Sequence, residues 1–251
     1  MGILGIWKNK IRHSKAGKAE KRRLPRHIAI VMDGNRRWAK KRGVPSSVGY
    51  SFGAENFRKI ATYCKNIGIE FLTVYAFSTE NWKRGEEEVS SIMALLEKYL
   101  NEAIEKMEKE RIRLNILGNT EVLSPKIREL VEKTRNISQG LQGFQVNLCL
   151  NYGGRDEILR AAYKYALDCK AGKINKPSQE EFSNFLYTAG IPDPDLVIRP
   201  SGEIRISNFL LWQSAYSEFY FTQTLWPDFD EHELELAIEA YGIRERRFGG
   251  A

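Results

Sequence analysis

The fold class is decided by the stretch His27-Ile28-Ala29-Ile30-Val31-Met32-Asp33-Gly34-Asn35, in which a short apolar run passes directly into polar residues. An apolar run of this length is typical of a strand that is buried on both faces of a sheet. A charged helical stretch follows at Arg36–Arg42, so a helix succeeds the strand at once. A strand that leads into a helix in this way indicates the βαβ unit of a parallel sheet.

The same alternation continues along the chain. Runs of apolar, β-branched or aromatic residues predict five further strands, at Phe71–Phe77, Arg111–Leu117, Gln145–Asn151, Asp195–Arg199 and Glu218–Thr222. Helical spacing or a capping signal predicts helices at residues 86–110, after Ser124-Pro125, and at Gly154–Lys170. We therefore expect an α/β fold, a single domain with a mostly parallel central sheet flanked by helices.

The composition excludes several classes of protein. Of the 251 residues, 42% are hydrophobic and 28% are charged, which is typical of a globular protein and not of a disordered one. No apolar run approaches the roughly 18 residues of a membrane-spanning helix. The three cysteines are far apart and odd in number, which argues against a disulfide framework and favours a cytoplasmic location.

The positive charge is concentrated at the amino terminus. The formal net charge is +7, and residues 1–26 hold nine basic side chains against one acidic side chain. We expect residues 1–24 to be a basic, flexible tail and residues 25–251 to be the folded domain. An alternative is that residues 1–26 contact the inner face of the membrane as a peripheral anchor. A nucleic-acid-binding arm is disfavoured because interleaved aromatic residues and a reading module are missing, so no nucleic-acid partner is expected.

Polar segments follow four of the predicted strands. They are Asp33–Asn35, Ser78–Trp82, Asn151–Arg155 and Arg199–Glu203. In parallel sheets, ligands bind beyond the carboxyl ends of the strands, so these segments are the candidate site. The sequence contains no P-loop, no dinucleotide fingerprint and no nucleophile elbow, which argues against the enzyme classes that use them.

The first polar segment predicts a phosphate site. Gly34 lets a ligand approach the backbone, the following helix presents free N–H groups, and Arg36 and Arg37 add positive charge. Asp33 would repel a phosphate unless it holds a divalent cation such as Mg²⁺ that bridges to phosphate oxygens. The alternative interpretation is a capping aspartate beside solvated arginines.

A second anion site is predicted near the far end of the chain. Arg199, Arg205 and Ser207 lie within nine residues of one another and can converge on one polyphosphate. The alternative is a surface loop whose arginines pair with Glu203. Two phosphate sites, one metal-binding carboxylate and no nucleophile–base pair suggest the transfer of a group between two phosphorylated substrates.

These residues belong to motifs that resemble those of the cis-prenyltransferases, and the resemblance spans about residues 25–250. The motifs are residues 27–39, Tyr75–Trp82, Asn151–Arg155, Asp195–Arg199, Arg205–Gln213, Trp226–Phe229 and the terminal Arg246–Gly250. The resemblance implies a homodimer with a hydrophobic tunnel between sheet and helices. It also implies Mg²⁺-dependent condensation of an allylic diphosphate, such as farnesyl diphosphate, with isopentenyl diphosphate, giving a cis-polyprenyl diphosphate that serves as a lipid-carrier precursor.

The resemblance also implies roles for individual residues. Asp33 would place Mg²⁺ and assist departure of diphosphate, and Asn81 would act at the reacting end of isopentenyl diphosphate. Glu218 would be a further metal ligand that helps to hold metal at the isopentenyl diphosphate. The terminal Arg247-Phe248-Gly249 would reach across the dimer. The residues expected to bind substrate are Gly34, Asn35, Arg36, Arg37, Trp38, Ser46, Tyr50, Ser78, Glu80, Trp82, Arg84, Arg199, Arg205 and Ser207.

Two of these positions depart from the family pattern. Ser46 and Tyr50 stand where the family usually has an arginine and a histidine that help to bind the allylic diphosphate. Three interpretations therefore stay open: an active enzyme that makes a polyprenyl diphosphate, a divergent transferase with a short or irregularly joined product, and a weakly active subunit that binds prenyl diphosphates. The apolar stripe on residues 86–110 is a candidate tunnel wall, but the sequence assigns no side chain that sets product length.

Overall fold

The computed structural model of the chain describes residues 23–244. The predicted tail therefore lies outside the described residues except for its last two positions, and so does the terminal Arg247-Phe248-Gly249 motif. Among the helices of residues 23–244, none has both the length and the apolar character that crossing a membrane requires.

Within this part of the chain, six strands form one sheet in which every neighbouring pair is parallel. The strands are β1 (His27–Val31), β2 (Phe71–Ser78), β3 (Arg113–Leu117), β4 (Gln145–Tyr152), β5 (Leu196–Arg199) and β6 (Glu218–Phe221). Their order is β3-β4-β2-β1-β5-β6, so β1 lies between β2 and β5, and all five of its residues are buried. The predicted α/β domain with a mostly parallel sheet is confirmed.

The helices connect and cover these strands. They are α1 (Asn35–Lys41), α2 (Ser46–Ile67), α3 (Glu86–Glu110), α4 (Pro125–Gln139), α5 (Gly154–Lys170), α6 (Gln179–Ser183) and α7 (Glu231–Gly242). The bounds of α3 and α5 agree with the prediction, and the Ser124 side chain caps α4 by accepting a hydrogen bond from the Ile127 backbone N–H at 3.3 Å. Strand β3 begins two residues later than predicted, because Arg111 adopts a left-handed conformation (φ 49°) that ends α3.

Helix α2 has no counterpart in the sequence prediction, although it is 22 residues long. It packs directly against α1 through two glycines that are one helical turn apart. A Cβ atom at Gly49 would lie 2.3 Å from the Asn35 carbonyl oxygen, and one at Gly53 would lie 2.1 Å from Asn35 Oδ1. The pair Gly49 and Gly53 therefore permits a close helix contact that any larger residue would prevent.

The two faces of the sheet bury different sets of side chains because successive residues of a strand point to opposite sides. Ile28 and Ile30 of β1 join the larger core cluster, which includes residues of α2, α3, α4 and α7. Ala29 and Val31 join a smaller cluster with Tyr152 and others on the opposite face. The carboxyl ends of the strands thus open beside the α2–α3 layer, where the candidate site lies.

Candidate active site

A cavity of about 1200 Å³ lies at the carboxyl ends of β1, β2 and β5 and extends between the sheet and helices α2 and α3. Its mouth is charged and its interior is apolar. The mouth residues include Asp33, Arg36, Arg37, Lys40, Glu80, Arg84 and Arg199, and the interior is lined by Ala54, Phe57, Ile92, Leu95, Leu96, Leu148 and Leu150. The expected apolar tunnel between sheet and helices is therefore present as a cavity within one chain.

Asp33 lies in the mouth because it follows β1. The chain adds β2, β4 and β3 on one side of this strand and β5 and β6 on the other, so a crevice opens at its carboxyl end. Asp33 Oδ2 accepts from Arg199 Nη2 at 2.8 Å and lies 3.1 Å from Arg37 Nη2. Burial alone would raise the pKa of Asp33, but Arg199, the Ser201 hydroxyl and Arg37 together lower it below its ordinary value. Asp33 is therefore an ionised carboxylate held between two guanidinium groups at the switch point where α/β sheets bind ligands.

Arg199 comes from the end of β5 and is almost fully buried, with 5% of its surface exposed. Besides Asp33, it donates through Nη1 to the Ser207 hydroxyl and to the Arg205 carbonyl, both at 3.0 Å. The structure thus brings together Asp33, Arg199 and Ser207. A buried arginine with these partners has a defined orientation toward the mouth.

Arg205 is placed differently from the other predicted anion-binding residues. Its guanidinium is exposed and pairs with Glu203 at 2.5 Å, so only its backbone carbonyl takes part in the Arg199 network. For this residue the structure supports the alternative interpretation, a loop arginine paired with Glu203. Its side chain pairs with Glu203 and is not among the residues that line the cavity.

Gly34 and Asn35 form the turn between β1 and α1. Gly34 adopts a left-handed conformation (φ 108°), and a Cβ atom there would lie 3.0 Å from a Leu225 methyl group, so the position requires glycine. The Asn35 amide donates to the Met32 carbonyl at 3.2 Å, while its Oδ1 is buried and has no hydrogen-bond partner. Both residues line the cavity, but the Asn35 side chain is turned into the fold.

Trp38, which was expected to bind substrate, packs beside the site and does not line the cavity. It is buried, its Nε1 donates to Asp228 at 2.7 Å, and its ring contacts Phe52 at a centroid distance of 4.7 Å. The Arg42 guanidinium lies 4.0 Å from the ring centroid. Helix α1 turns this face toward residues 225–228, so the structure does not bring Trp38 to the cavity surface, and its role in binding substrate stays a prediction.

The segment after β2 is a 3₁₀ turn, Thr79–Lys83, whose polar groups are held by neighbouring loops. Asn81 Oδ1 accepts from the Ser78 backbone N–H at 3.1 Å, and both residues line the cavity. Glu80 accepts from the Asn208 amide at 3.0 Å. Asn81 therefore faces the mouth in a fixed orientation, as a neutral amide.

Trp82 belongs to this turn but does not line the cavity. Its Nε1 donates to Asn151 Oδ1 at 2.8 Å, and its ring meets Phe77 edge-on at a centroid distance of 5.0 Å. The strand-end residue Asn151 thus positions Trp82. The Asn151–Arg155 motif therefore does not line the cavity, and its Asn151 contacts the site through Trp82.

Tyr50, one of the two departures from the family pattern, belongs to a cluster at the opposite side of the mouth. Its hydroxyl donates to Glu88 Oε1 and accepts from Arg84 Nη1, each at 2.5 Å, and Arg84 also contacts Glu88 at 2.9 Å. Arg36 lies 3.7 Å from the same carboxylate. Burial and the hydrogen bond to Glu88 raise the pKa of Tyr50, so its hydroxyl stays protonated. Ser46 lines the same part of the cavity.

Comparison with known proteins agrees with this geometry. A family model described as "Putative undecaprenyl diphosphate synthase" matches residues 31–249. A protein of Clostridium tetani named isoprenyl transferase is 49% identical over 230 residues, which cover 90% of each chain. The chain belongs to the undecaprenyl diphosphate synthase family of cis-prenyltransferases. A second isoprenyl transferase, from Fusobacterium nucleatum, is 50% identical to this prenyltransferase over 227 residues, covering 90% of this chain and 96% of that one.

A solved structure is similar to this prenyltransferase along nearly its whole described length. It is the crystal structure of lavandulyl diphosphate synthase from Lavandula x intermedia in complex with dimethylallyl diphosphate. The TM-score is 0.86 at 35% identity, and the match covers 90% of this chain and 98% of the other. The chain is therefore an enzyme of the prenyltransferase class with the fold of this family.

Glu218, the expected second metal ligand, is not brought to Asp33 within the chain. It begins β6 in register with Leu196 and Ile28, five positions before Asp33, which is about 16 Å along the strands. Its carboxylate pairs with Arg244 at 2.7 Å. The described chain therefore does not bring Glu218 and Asp33 to one place, because β6 presents Glu218 at the amino end of the sheet, and the role of Glu218 as a metal ligand of this prenyltransferase stays a prediction.

Sequence reasoning missed several polar residues of the prenyltransferase site. Glu88 holds Tyr50, Arg36 and Arg84, but in the sequence it is one of three glutamates that favour the start of α3. Lys40 lines the mouth, and Ser201 accepts from Arg37 through its hydroxyl at 2.7 Å. Ser201 was within a predicted strand-end segment, whereas no local pattern distinguishes Lys40 or Glu88 from solvent-exposed charges.

Proposed function

We propose that the chain condenses an allylic diphosphate, such as farnesyl diphosphate, with isopentenyl diphosphate to give a cis-polyprenyl diphosphate. The observation that carries this proposal is a single cavity with a cationic mouth around Asp33 and an apolar interior. The mouth suits two diphosphate groups, and the interior suits a growing hydrocarbon. Each CH₂ group that enters an apolar site contributes about 0.8 kcal/mol, so the product itself supports its retention.

The two diphosphates would occupy opposite sides of Asp33. Gly34 and Arg37 border the allylic diphosphate, with Arg36 and Arg84 at its outer side. Arg199 and Ser207 border the isopentenyl diphosphate, and Arg205 joins them only if its guanidinium leaves Glu203. Planar guanidinium groups bind phosphate oxygens in pairs, which fixes the orientation of both substrates.

The residues at the mouth fit a Mg²⁺ ion that takes most of its ligands from the substrates. Asp33 supplies one ionised, hard carboxylate oxygen, and no cluster of three metal-binding side chains occurs among residues 23–244. Such a site is usual for Mg²⁺, which keeps water and phosphate oxygens around one or two protein carboxylates. When bound, the metal would stabilise charge on the departing diphosphate. Glu218 would hold metal at the isopentenyl diphosphate only if its carboxylate leaves Arg244.

The proposed reaction requires the protein to stabilise a leaving diphosphate and to have a group accept a proton. The C–O bond of the allylic diphosphate breaks with its electron pair leaving on diphosphate, a C–C bond forms to isopentenyl diphosphate, and that unit loses a proton. Arg37 and the N–H groups after Gly34 stabilise the developing charge. The carboxylates at the mouth, Asp33, Glu80 and Glu88, have a lowered pKa and are weak bases. The departing diphosphate is therefore the better proton acceptor, while Asn81 orients the isopentenyl unit.

A second candidate function is a divergent condensation that gives a short or irregularly joined product. Two observations favour it: the similarity to the lavandulyl diphosphate synthase structure, and Ser46 and Tyr50 at the allylic side of the mouth. A weakly active subunit that binds prenyl diphosphates is the third candidate. Asp33, Asn81, Arg199 and Ser207 all line the cavity, which argues against this third candidate.

The experiment that separates these functions incubates the purified protein with farnesyl diphosphate, isopentenyl diphosphate and Mg²⁺. A ladder of long cis products supports the polyprenyl synthase. One short or branched product supports the divergent transferase, and binding without turnover supports the binding subunit. Omission of Mg²⁺ together with chelation should abolish the ladder, and turnover that persists would contradict the metal requirement.

We also propose a cytoplasmic homodimer whose amino-terminal tail contacts the inner face of the membrane. The family resemblance supports the dimer, and the basic residues with Ile3, Leu4, Ile6 and Trp7 support the membrane contact. Deleting residues 1–24 should reduce binding to anionic vesicles and leave turnover in detergent intact. Equal vesicle binding by the two proteins would contradict the membrane contact.

A further inference from the structure

Three residues of the loop after β5 adopt a backbone conformation that is uncommon for residues with a side chain. Ser207, Asn208 and Leu210 have φ angles of 49°, 65° and 45°, in the left-handed region. Such a conformation costs free energy, least for asparagine and aspartate, so contacts from other parts of the fold must hold the loop in place. Ser207 and Asn208 also line the cavity. The contacts that hold this loop therefore help to determine the geometry of the mouth.

Asn208 is the residue through which the loop is held to two other parts of the site. Its backbone carbonyl accepts from the Gly154 N–H at 2.7 Å, and its Oδ1 accepts from the Arg155 N–H at 2.8 Å, both at the start of α5. Its Nδ2 donates to Glu80 Oε1 at 3.0 Å, in the 3₁₀ turn after β2. One asparagine thus joins the loop after β5, the start of α5 and the turn that carries Asn81.

The two glycines of the Asn151–Arg155 motif leave room for this arrangement. A Cβ atom at Gly153 would lie 2.9 Å from Asn208 Nδ2 and 2.7 Å from Thr79 Oγ1, and one at Gly154 would lie 3.0 Å from the Asn208 carbonyl oxygen. Such distances are shorter than an ordinary van der Waals contact. The glycines therefore let Asn208 approach both α5 and the 3₁₀ turn, which gives this motif a part in the site although it does not line the cavity.

The hydrogen bond between Asn208 and Glu80 joins the two regions that the proposed function assigns to isopentenyl diphosphate. Ser207, beside Asn208, borders its diphosphate, and Asn81, beside Glu80, orients its reacting end. Burial alone would raise the pKa of Glu80, but the Asn208 amide and donors of residues 78–80 lower it, so the carboxylate is ionised and the bond is charge-assisted. This bond therefore sets the separation of two segments that are far apart in the sequence.

We propose that Asn208 is a positioning residue that fixes the distance between the two ends of the isopentenyl unit and thereby makes the site selective for the length of this substrate. The inference rests on the proposed function for the identity of the substrate. With its diphosphate at Ser207, an acceptor that is one CH₂ group longer places its double bond past Asn81. An error of about 1 Å in such a position can lower a rate about 100-fold.

The direct test compares isopentenyl diphosphate with 4-methylpent-4-enyl diphosphate, which has one more CH₂ group between diphosphate and double bond. We expect the parent to favour isopentenyl diphosphate by at least about tenfold in kcat/KM, and a parent without this preference would overturn the proposal. Asn208→Asp keeps a residue that tolerates the left-handed conformation and keeps the Oδ1 acceptor, but it loses the donor to Glu80. It should lower the preference about fivefold, and an unchanged preference would overturn the proposal.

A reversed hydrogen bond separates the contact from a change of charge. In Asn208→Asp combined with Glu80→Gln, the new amide can donate to the new carboxylate, and the net charge equals that of the parent. In Asn208→Asp combined with Glu80→Met, the net charge is the same and the hydrogen bond is missing. The first double variant should recover most of the parental preference, and the second should not. Equal preferences in the two double variants would overturn the role of the bond.

A further variant displaces Asn208 without changing a residue that lines the cavity. The methyl group of Gly153→Ala would push against the Asn208 amide, so this variant should lower the preference in the same direction as Asn208→Asp. Gly140→Ala is the matched control, because a Cβ atom there would lie 3.7 Å from the Ile137 carbonyl oxygen, an ordinary contact. It should keep the parental preference. Equal preferences in the two variants, both with parental circular dichroism, would contradict the proposal.

Binding measurements keep this inference separate from the proposed function. Isopentenyl diphosphate and its longer analogue are titrated by calorimetry into the parent and into Asn208→Asp, with Mg²⁺ and without an allylic substrate. If the parent makes no product from either acceptor, the proposed function fails, and the two affinities still decide the inference. Tighter binding of isopentenyl diphosphate by the parent, with a smaller difference in Asn208→Asp, would support the role of Asn208. The same difference in both proteins, or none in the parent, would overturn it.

Discussion

The polar residues at the two ends of strand β1 differ in charge: His27 at the amino end is neutral, and Asp33 at the carboxyl end is ionised. At the amino end, His27 is buried, with its ring nitrogens 2.6 Å from the Pro192 carbonyl and 2.7 Å from the Thr73 hydroxyl. Burial lowers the pKa of His27 from 6.5 to about 4, although the Pro192 carbonyl opposes the shift. At the carboxyl end, Asp33 is ionised between Arg37 and Arg199, and 29% of its side chain is exposed to the cavity.

The difference shows which end of the sheet can bind a charged ligand. Neutral groups at the amino end satisfy one another, since Thr73 also accepts from Asn147, which accepts from Gln145. The carboxyl end instead concentrates charges of both signs around a cavity. An anionic ligand can replace contacts among these charges, whereas the polar groups around the His27 ring are buried and already hydrogen-bonded to one another.

The largest expected effect is the loss of catalysis when Asp33 is replaced. Asp33→Ala should lower kcat by about 10²–10³-fold, because the site loses the carboxylate that we propose as the metal ligand. Asp33→Asn, which keeps the shape of the side chain, should lose a similar factor. Steady-state kinetics at saturating Mg²⁺ measure both. His27→Gln serves as the control at the other end of β1 and should keep the parental kcat; parental turnover by Asp33→Ala would contradict the role of this residue.

The next effect is a change in the free energy of unfolding with pH, which we attribute to His27. Because its folded-state pKa is lowered, the unfolded chain binds one more proton between pH 6.5 and about 4. The free energy of unfolding should therefore fall by about 1.4 kcal/mol per pH unit as the pH falls through this window, by about 3 kcal/mol in all. Urea unfolding across the window should show this slope in the parent and lose it in His27→Gln. The same slope in both proteins would contradict the assignment.

Asp33 should act in a different pH window from His27. Its folded-state pKa lies below the ordinary value of 3.8, so its contribution to stability is present above that value and is lost as the pH falls through the folded-state pKa. The contributions of His27 and Asp33 to stability are therefore lost in different pH ranges.

A smaller effect distinguishes the two arginines of the second anion site. Arg199→Lys should raise the KM for isopentenyl diphosphate by about 10- to 100-fold, because a buried, oriented guanidinium becomes a point charge. Arg205→Lys should change this KM by less than about threefold, since the Arg205 side chain is exposed and paired with Glu203. Equal increases would show that Arg205 turns into the mouth when substrate binds.

The smallest expected effect concerns the departures from the family pattern. Ser46→Arg combined with Tyr50→His should lower the KM for the allylic diphosphate by about tenfold, because it restores cationic or donor groups at the mouth. Tyr50→Phe is the control for loss of the contacts to Arg84 and Glu88. An unchanged KM in the double variant would mean that Tyr50 and Arg36 already compensate.

The parts of the fold that were predicted correctly have local causes. Helix α3 has the bounds that were predicted from its helical spacing, and α4 begins directly after the Ser124 cap. Helix α2 was missed because its position depends on Gly49 and Gly53 packing against Asn35 of another helix. The family motifs placed Asp33, Asn81 and Arg199 at strand ends, but they carry no information on where the side chains of Arg205 and Glu218 point.

The sequence by itself determined the strand–helix alternation, the parallel sheet and the residues at the carboxyl ends of β1 and β5, because these follow from short-range patterns and from the direction of the chain. Only the tertiary structure decided that Arg199 turns toward Asp33 while Arg205 turns toward Glu203, and that Glu88 binds Tyr50. Each of these depends on how contacts in the folded chain orient a side chain, and the contacts of Arg199 with Asp33 and of Tyr50 with Glu88 join residues far apart in sequence. Such contacts exist only after the layers have packed.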